Sequence, residues 1–90
     1  MPVKELSITY KGKKIRVENT WFSGAKLYID GDCRDTTNRL INVDSTKPLL
    51  SASIETESGS EIIEAFIVAI MTTKIKLHAN GEFIAGENFK

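Results

Sequence analysis

The sequence predicts a small all-β domain in which two antiparallel sheets pack face to face. Apolar and polar residues alternate with a period of two in several short segments, a pattern typical of strands with one buried face. The dipeptides Asp30-Gly31 and Asn80-Gly81 indicate hairpin turns, because both residue types tolerate positive φ. The chain has 90 residues, which is enough for one core, so we expect a single domain over 1–90.

The first half of the chain contains two predicted hairpins. Leu6, Ile8 and Tyr10 alternate with polar residues, as in a half-buried strand. The glycine turn at 11–13 then leads into a second alternating segment, which completes a hairpin. The strands predicted in this half are 6–10, 15–17, 25–29 and 33–37, with a loop at 19–24 between the second and the third.

In the second half, the segment 62–71 is apolar on both faces, so its periodicity does not separate strand from helix. Its many β-branched residues favour a central strand. The alternative is a helix over 61–71, with Ser58 as the N-cap and Glu61 closing a capping box. The other strands predicted in this half are 49–56, 74–79 and 82–85.

Two short stretches, one in each half, are similar to each other. Lys26–Asp32 reads KLYIDGD, and Lys76–Glu82 reads KLHANGE. Each follows a glycine turn and an isoleucine-bearing segment, so both halves have the same order of strands and turns. This similarity favours a strand at 62–71. It predicts a sandwich of about seven or eight strands, with two pseudo-repeated halves as one option.

The alternation also predicts the core, because each sheet buries the side chains of every second residue against the other sheet. The side chains expected to be buried are Leu6, Ile8, Ile15, Val17, Leu27, Ile29, Ile54, Phe66, Val68, Ile75 and Leu77.

The stretch Leu27–Gly31 and its counterpart Leu77–Gly81 resemble a strand with an Asp-Gly or Asn-Gly hairpin that is found in several compact β-sandwiches. Laminin-G-like lectin domains carry such a motif, and so do the β-sandwich modules of the Fas apoptosis inhibitory molecule family. In the second family a glycine turn and a strand precede the motif, as Gly12 and 15–17 do here. The resemblance implies a sandwich. It carries over no binding residue, because matching turns do not define a site.

The composition argues against several classes of protein. Apolar residues make up 41% and charged residues 27% of the chain, close to the average for globular proteins. The net charge of zero argues against a nucleic-acid-binding or membrane-surface protein. The longest apolar run, 65–71, is far shorter than the roughly 20 residues that span a bilayer. Cys33 has no cysteine partner within the chain, and the first residues show no signal-peptide core, so we expect a cytoplasmic protein.

The predicted loop at 19–24 contains two adjacent aromatic residues and is the best candidate for a binding surface. Aromatic side chains in a loop either cover the core or contact a partner. Two tyrosines lie in the flanking hairpins, and two basic residues near the ends of the loop can add charge-assisted hydrogen bonds. The expected surface consists of Trp21, Phe22, Tyr10, Tyr28, Arg16 and Lys26.

The leading functional hypothesis is a small non-enzymatic interaction module, monomeric or weakly dimeric, whose partner is an unidentified protein or small ligand. One alternative is a carbohydrate- or small-ligand-binding, lectin-like sandwich that uses Trp21 and the carboxylates of 30–35. Another is a small enzyme or enzyme subunit that uses Cys33 or His78, although nothing in the sequence pairs these two residues. No catalytic residue, cofactor or metal ligand is predicted, since 30–35 lacks the full spacing of a calcium loop.

Overall fold

The structure is a computed structural model that describes residues 3–20, 24–37, 46–69 and 73–87. Its strands are β1 (Val3–Tyr10), β2 (Lys13–Thr20), β3 (Gly24–Ile29), β4 (Asp32–Thr37), β5 (Leu50–Thr56), β6 (Gly59–Ala69), β7 (Thr73–Ala79) and β8 (Glu82–Gly86). The strands β1 to β4 form one antiparallel sheet and β5 to β8 form a second, with consecutive strands adjacent in both. The predicted all-β, two-sheet fold is therefore confirmed, and the helical alternative over 61–71 is wrong because 61–69 lie in β6.

The described part of the chain contains no helix that is long and apolar enough to cross a membrane.

The turns after β3 and after β7 have the same structure. Asp30 and Asn80 both have a φ of 50°, and a glycine follows each, as the two dipeptides predict. Asp30 Oδ1 accepts a hydrogen bond from the Lys14 N–H at 2.8 Å, and the Asp30 N–H donates to the Lys14 carbonyl at 2.8 Å. Asn80 forms the same pair of bonds with Ile62, each at 2.9 Å. Each turn therefore fixes the position of the strand next to its own hairpin.

The two sheets also share the position of an irregularity in strand pairing. The register shifts between Leu27 and Tyr28 in the first sheet and between Leu77 and His78 in the second. The predicted repetition is therefore visible in turn type, in side-chain capping and in the place of the bulge.

One core lies between the sheets, with apolar side chains from both. Its buried members are Ile15, Val17, Ala25, Leu27, Ile29, Leu50, Ile54, Ile63, Ala65, Ile67, Ile75, Leu77 and Ala79. Leu6 and Ile8, expected to be buried, are half-buried and pack against this core from the edge strand β1. Phe66 and Val68 lie outside the core cluster, because Ile63, Ala65 and Ile67 face inward and the residues between them face outward. Phe66 is nevertheless only 8% exposed.

Side chains of β4 bond to the free edge of β5, an edge strand of the second sheet. The Ser51 N–H donates to Asp35 Oδ2 at 2.9 Å, and Arg34 Nη2 donates to the Ser53 carbonyl at 3.0 Å. Unpaired edge groups of this kind invite pairing with another chain. Asp35 and Arg34 therefore connect the two sheets and occupy that edge.

The close approach of β8 to β7 at Gly86 gives the first prediction. Gly86 has a φ of 115°, and a Cβ there would lie 2.3 Å from the Ile75 carbonyl oxygen. Gly59→Ala has a similar strain, at a φ of 110°, but open space around the new Cβ, so it should cost about 1–2 kcal/mol. Gly86→Ala adds steric overlap with backbone and should cost about 2–5 kcal/mol in a urea melt. Equal losses for the two variants would contradict the close approach of β8 to β7.

Candidate functional site

An apolar cluster, which we call the aromatic face, covers part of the outer surface of the second sheet. It consists of Ile62 and Phe66 in β6, His78 in β7 and Phe83 in β8. The ring centroids of Phe66 and His78 are 4.7 Å apart, and those of His78 and Phe83 are 6.2 Å apart with the rings edge to face. Ile62 is 46% exposed and Phe83 is 50% exposed, and these are the exposed large hydrophobic side chains among the described residues.

The bulge between β7 and β8 positions Phe83 on this face. Leu77 pairs with Ala85, whereas the next residue, His78, pairs with Phe83. Ile84 is therefore the extra residue of the bulge, and it packs against the core. Without the shift, Ile84 would lie opposite His78. Bulges often redirect a side chain in this way.

Two charged residues lie beside members of the aromatic face on the outer surface of the second sheet. Lys76 lies opposite Phe66, with its Nζ 5.3 Å from the centre of the Phe66 ring, a distance at which a cation is attracted to the ring. Glu64 lies opposite His78. Burial lowers the pKa of His78, the positive charge of Lys76 lowers it further, and Glu64 opposes the shift. His78 is therefore neutral at pH 7, so the rings of Phe66, His78 and Phe83 form an uncharged cluster, with Glu64 beside it between Ile62 and Phe66 along β6.

The outer face of the first sheet is built from charged residues that bond to one another. Arg16 lies over the ring of Tyr28, with its guanidinium carbon 4.2 Å from the ring centroid. The same guanidinium donates to Glu18 and to Glu5. Lys26 lies opposite Glu18. The structure thus brings Arg16, Tyr28 and Lys26 together, as expected, but Arg16 already has two carboxylates and an aromatic ring as partners.

Tyr10 is separated from these three residues. It lies on the inward side of β1 and pairs with Lys13 at the first residue of β2. The predicted loop follows Thr20, at the other end of β2, about 23 Å away at roughly 3.3 Å per residue. Tyr10 lies on the inner side of the first sheet and Tyr28 on its outer side, so the two tyrosines do not form one surface. Trp21 and Phe22 lie outside the described residues, so their proposed contacts remain predictions.

Tyr10 instead belongs to a polar cluster that links the two sheets. Its hydroxyl donates to Glu61 Oε1 at 2.6 Å, and Lys11 Nζ donates to Glu61 Oε2 at 2.5 Å. The Thr56 hydroxyl lies 3.3 Å from Glu61 Oε2. Glu61 is only 5% exposed, so these donors replace the water that its carboxylate would otherwise bind.

The charges in this cluster stabilise one another. Hydrogen bonds from Lys11 and Tyr10 lower the pKa of Glu61, and the bond to Glu61 raises the pKa of both Tyr10 and Lys11. A cleft of about 290 Å³ lies beside the cluster, with Ser58, Ser60 and Asn80 in its wall. Because both carboxylate oxygens are bound by side chains of this chain, the cluster acts as a link between the sheets. No local sequence pattern indicates it, since Glu61 and Tyr10 are far apart in the chain.

The residues considered for catalysis or metal binding are dispersed. Cys33 is exposed and pairs with Tyr28 on the outside of the first sheet, whereas His78 lies on the outside of the second. The two cannot act on one substrate atom. Asp35 accepts backbone hydrogen bonds on both oxygens, from Thr36 and Ser51. Within the described ranges, no group of three His, Cys, Asp or Glu side chains is arranged to hold a metal ion.

Comparison with known proteins finds no matching family model, no similar curated protein and no similar solved structure. The resemblance to the two sandwich families therefore remains an expectation from the hairpin motif.

The buried carboxylate of Glu61 predicts a pH-dependent stability. Its pKa is lowered from the ordinary value of 4.5, so the ionised form stabilises the fold above that pH, and this stabilisation is lost as the pH falls through the lowered pKa. Glu61→Gln should therefore unfold at lower urea than the wild type at pH 7. The difference should shrink steadily below about pH 4.5.

The matched control is Glu57→Gln, which changes an exposed turn carboxylate and should alter stability by less than about 0.5 kcal/mol. A wild-type advantage over Glu61→Gln that stays constant from pH 7 to pH 3 would show that the Glu61 charge does not stabilise the fold.

Proposed function

We propose that this chain is a non-enzymatic interaction module that binds a partner protein through the aromatic face. The observation that carries this proposal is the position of Ile62 and Phe83, whose large apolar side chains are about half exposed on the same outer surface. Solvent-facing sheet surfaces are ordinarily polar. Contiguous apolar groups there are typical of an interaction site.

The composition of the face fits a protein–protein interface. Aromatic side chains are enriched in the centres of such interfaces, and charged residues are depleted there and confined to the rim. Phe66, His78 and Phe83 form an uncharged ring cluster, with Lys76 beside Phe66 and Glu64 beside His78. With His78 neutral, a partner can cover these three rings without burying a charged ring.

The face is also held in a fixed arrangement before any partner binds. All four of its residues lie on paired strands, and the His78 ring is in contact range of Phe66 on one side and Phe83 on the other. The Lys76 ammonium group, which lies over the Phe66 ring, further restricts the movement of that ring. Side chains that are already ordered lose less entropy on association, which favours affinity.

The alternatives have less support on the described surfaces. A lectin-type site needs polar groups that are free to bind hydroxyls, but each oxygen of Asp35 already accepts a backbone amide and Asp30 Oδ1 is bound to the Lys14 amide. An enzyme that uses Cys33 or His78 could not combine the two, because they lie on opposite outer faces of the sandwich. The exposed single thiol of Cys33 fits a reducing compartment, so our proposal places the module in the cytoplasm.

The proposal predicts position-specific cross-linking in the cells that make the protein. A photoreactive benzoylphenylalanine in place of Phe83 should yield discrete protein adducts, because this side chain lies within the proposed interface. The same analogue in place of Tyr28, also an aromatic residue on an outer sheet face, is the matched control and should not yield those adducts. Adding Ile62→Ser to the Phe83 variant should abolish them while leaving the circular dichroism spectrum unchanged.

Identical adducts from the two positions, or none from position 83, would refute the proposed face. Adducts that resist protease and lose mass on glycosidase or nuclease treatment would assign the face to a different class of ligand.

A further inference from the structure

The four edge strands of the two sheets differ in how they are protected. The edge of β5 is occupied by the side chains of Arg34 and Asp35, which belong to β4. The strand β4 is itself bulged where it pairs with β3. The strand β8 is short, bulged and ends at Gly86. Bulges, short strands and covering side chains all hinder pairing with another chain. In contrast, β1 pairs over its whole length, Val3–Tyr10, without a register shift.

The hydrogen-bonding direction identifies the free groups of β1. The Lys14 carbonyl bonds to Asp30, so Lys14 and alternate residues along β2 direct their backbone groups toward β3. The intervening residues Ile15 and Val17 therefore bond to β1, at their partners Ile8 and Leu6. The N–H and C=O groups that point away from the sheet belong to Val3, Glu5, Ser7 and Thr9.

We propose that β1 pairs with β1 of a second copy of this chain, antiparallel and about a two-fold axis at Ser7. The two first sheets then form one continuous eight-stranded sheet. Antiparallel pairing of identical strands satisfies a two-fold axis, because each copy offers the same groups in reverse order. Glu5, Ser7 and Thr9 of each copy form about six backbone hydrogen bonds across the axis.

The sequence of β1 selects this register. With the axis at Ser7, Glu5 lies opposite Thr9 of the partner subunit and Leu6 lies opposite the partner's Ile8. The outer side of the junction then has no like charges facing each other. With the axis at Glu5, two carboxylates would face each other, which is destabilising. With the axis at Thr9, the pairing would run into the turn at 11–12 and lose length.

The apolar side chains of β1 also favour a second copy of this chain as the partner. Leu6 and Ile8 are half-buried and lie at the margin of the core. In the proposed pair they meet Ile8 and Leu6 of the partner subunit, so the inner side of the new junction continues the core with apolar contacts. An arbitrary extended peptide would not provide this apolar–polar alternation at matching positions.

The test compares lysine at two neighbouring positions by sedimentation equilibrium of the whole chain. Ser7→Lys places two lysines opposite each other at the axis, whereas Thr9→Lys places each new lysine opposite Glu5 of the partner subunit. The intramolecular effects are matched, because position 7 lies opposite Arg16 and position 9 lies opposite Lys14, both basic. The wild type should dimerise reversibly. The dissociation constant of Ser7→Lys should exceed that of Thr9→Lys by about tenfold.

A wild-type chain that remains monomeric at millimolar concentration would overturn the proposal, as would equal weakening by the two lysines. Circular dichroism melts of both variants check that the fold is retained. Dimerisation that responds to Ile62→Ser but not to Ser7→Lys would also overturn it, because the contact would then lie on the aromatic face.

Discussion

The hydrogen bonds that Asp30 and Asn80 form with the neighbouring strand fix the register on which the rest of the structure depends. The Asn80 side-chain oxygen accepts a hydrogen bond from the Ile62 N–H, and the Asn80 N–H donates to the Ile62 carbonyl. A shift of β6 relative to the β7–β8 hairpin would break both bonds. A shift by one residue would reverse every side chain of a strand between the core and solvent. The same bond pair at Asp30 and Lys14 holds the first sheet.

The register also explains why the two outer faces differ. In the first sheet the outward positions hold ionic groups that neutralise one another, with Arg16 between Glu5 and Glu18. In the second sheet they include the apolar residues Ile62 and Phe83. The link between Glu61 and Tyr10 joins the sheets at one end. The core and this link are satisfied internally, and the proposed interactions use the aromatic face and β1.

The sequence was sufficient for features that depend on neighbouring residues. Alternation and the Asp-Gly and Asn-Gly turns predicted the strands, because both are local. The outward position of Phe66 was not predicted, since 62–71 is apolar on both faces and hides the direction of each side chain. The role of Glu61 depends on partners about fifty residues away, and that of Phe83 depends on a bulge. Neither role produces a local pattern in the sequence. Trp21 and Phe22 stay predictions.

The most direct measurement compares two adjacent isoleucines. Ile62 is 46% exposed on the aromatic face, whereas Ile63 is fully buried in the core. Methyl NMR in the presence of a soluble gadolinium chelate measures this difference, because the chelate broadens only signals near the protein surface. The register described here predicts strong broadening of the Ile62 δ1-methyl signal and protection of the Ile63 signal. The opposite order, or equal protection of both methyl groups, would contradict it and remove the basis for the aromatic face.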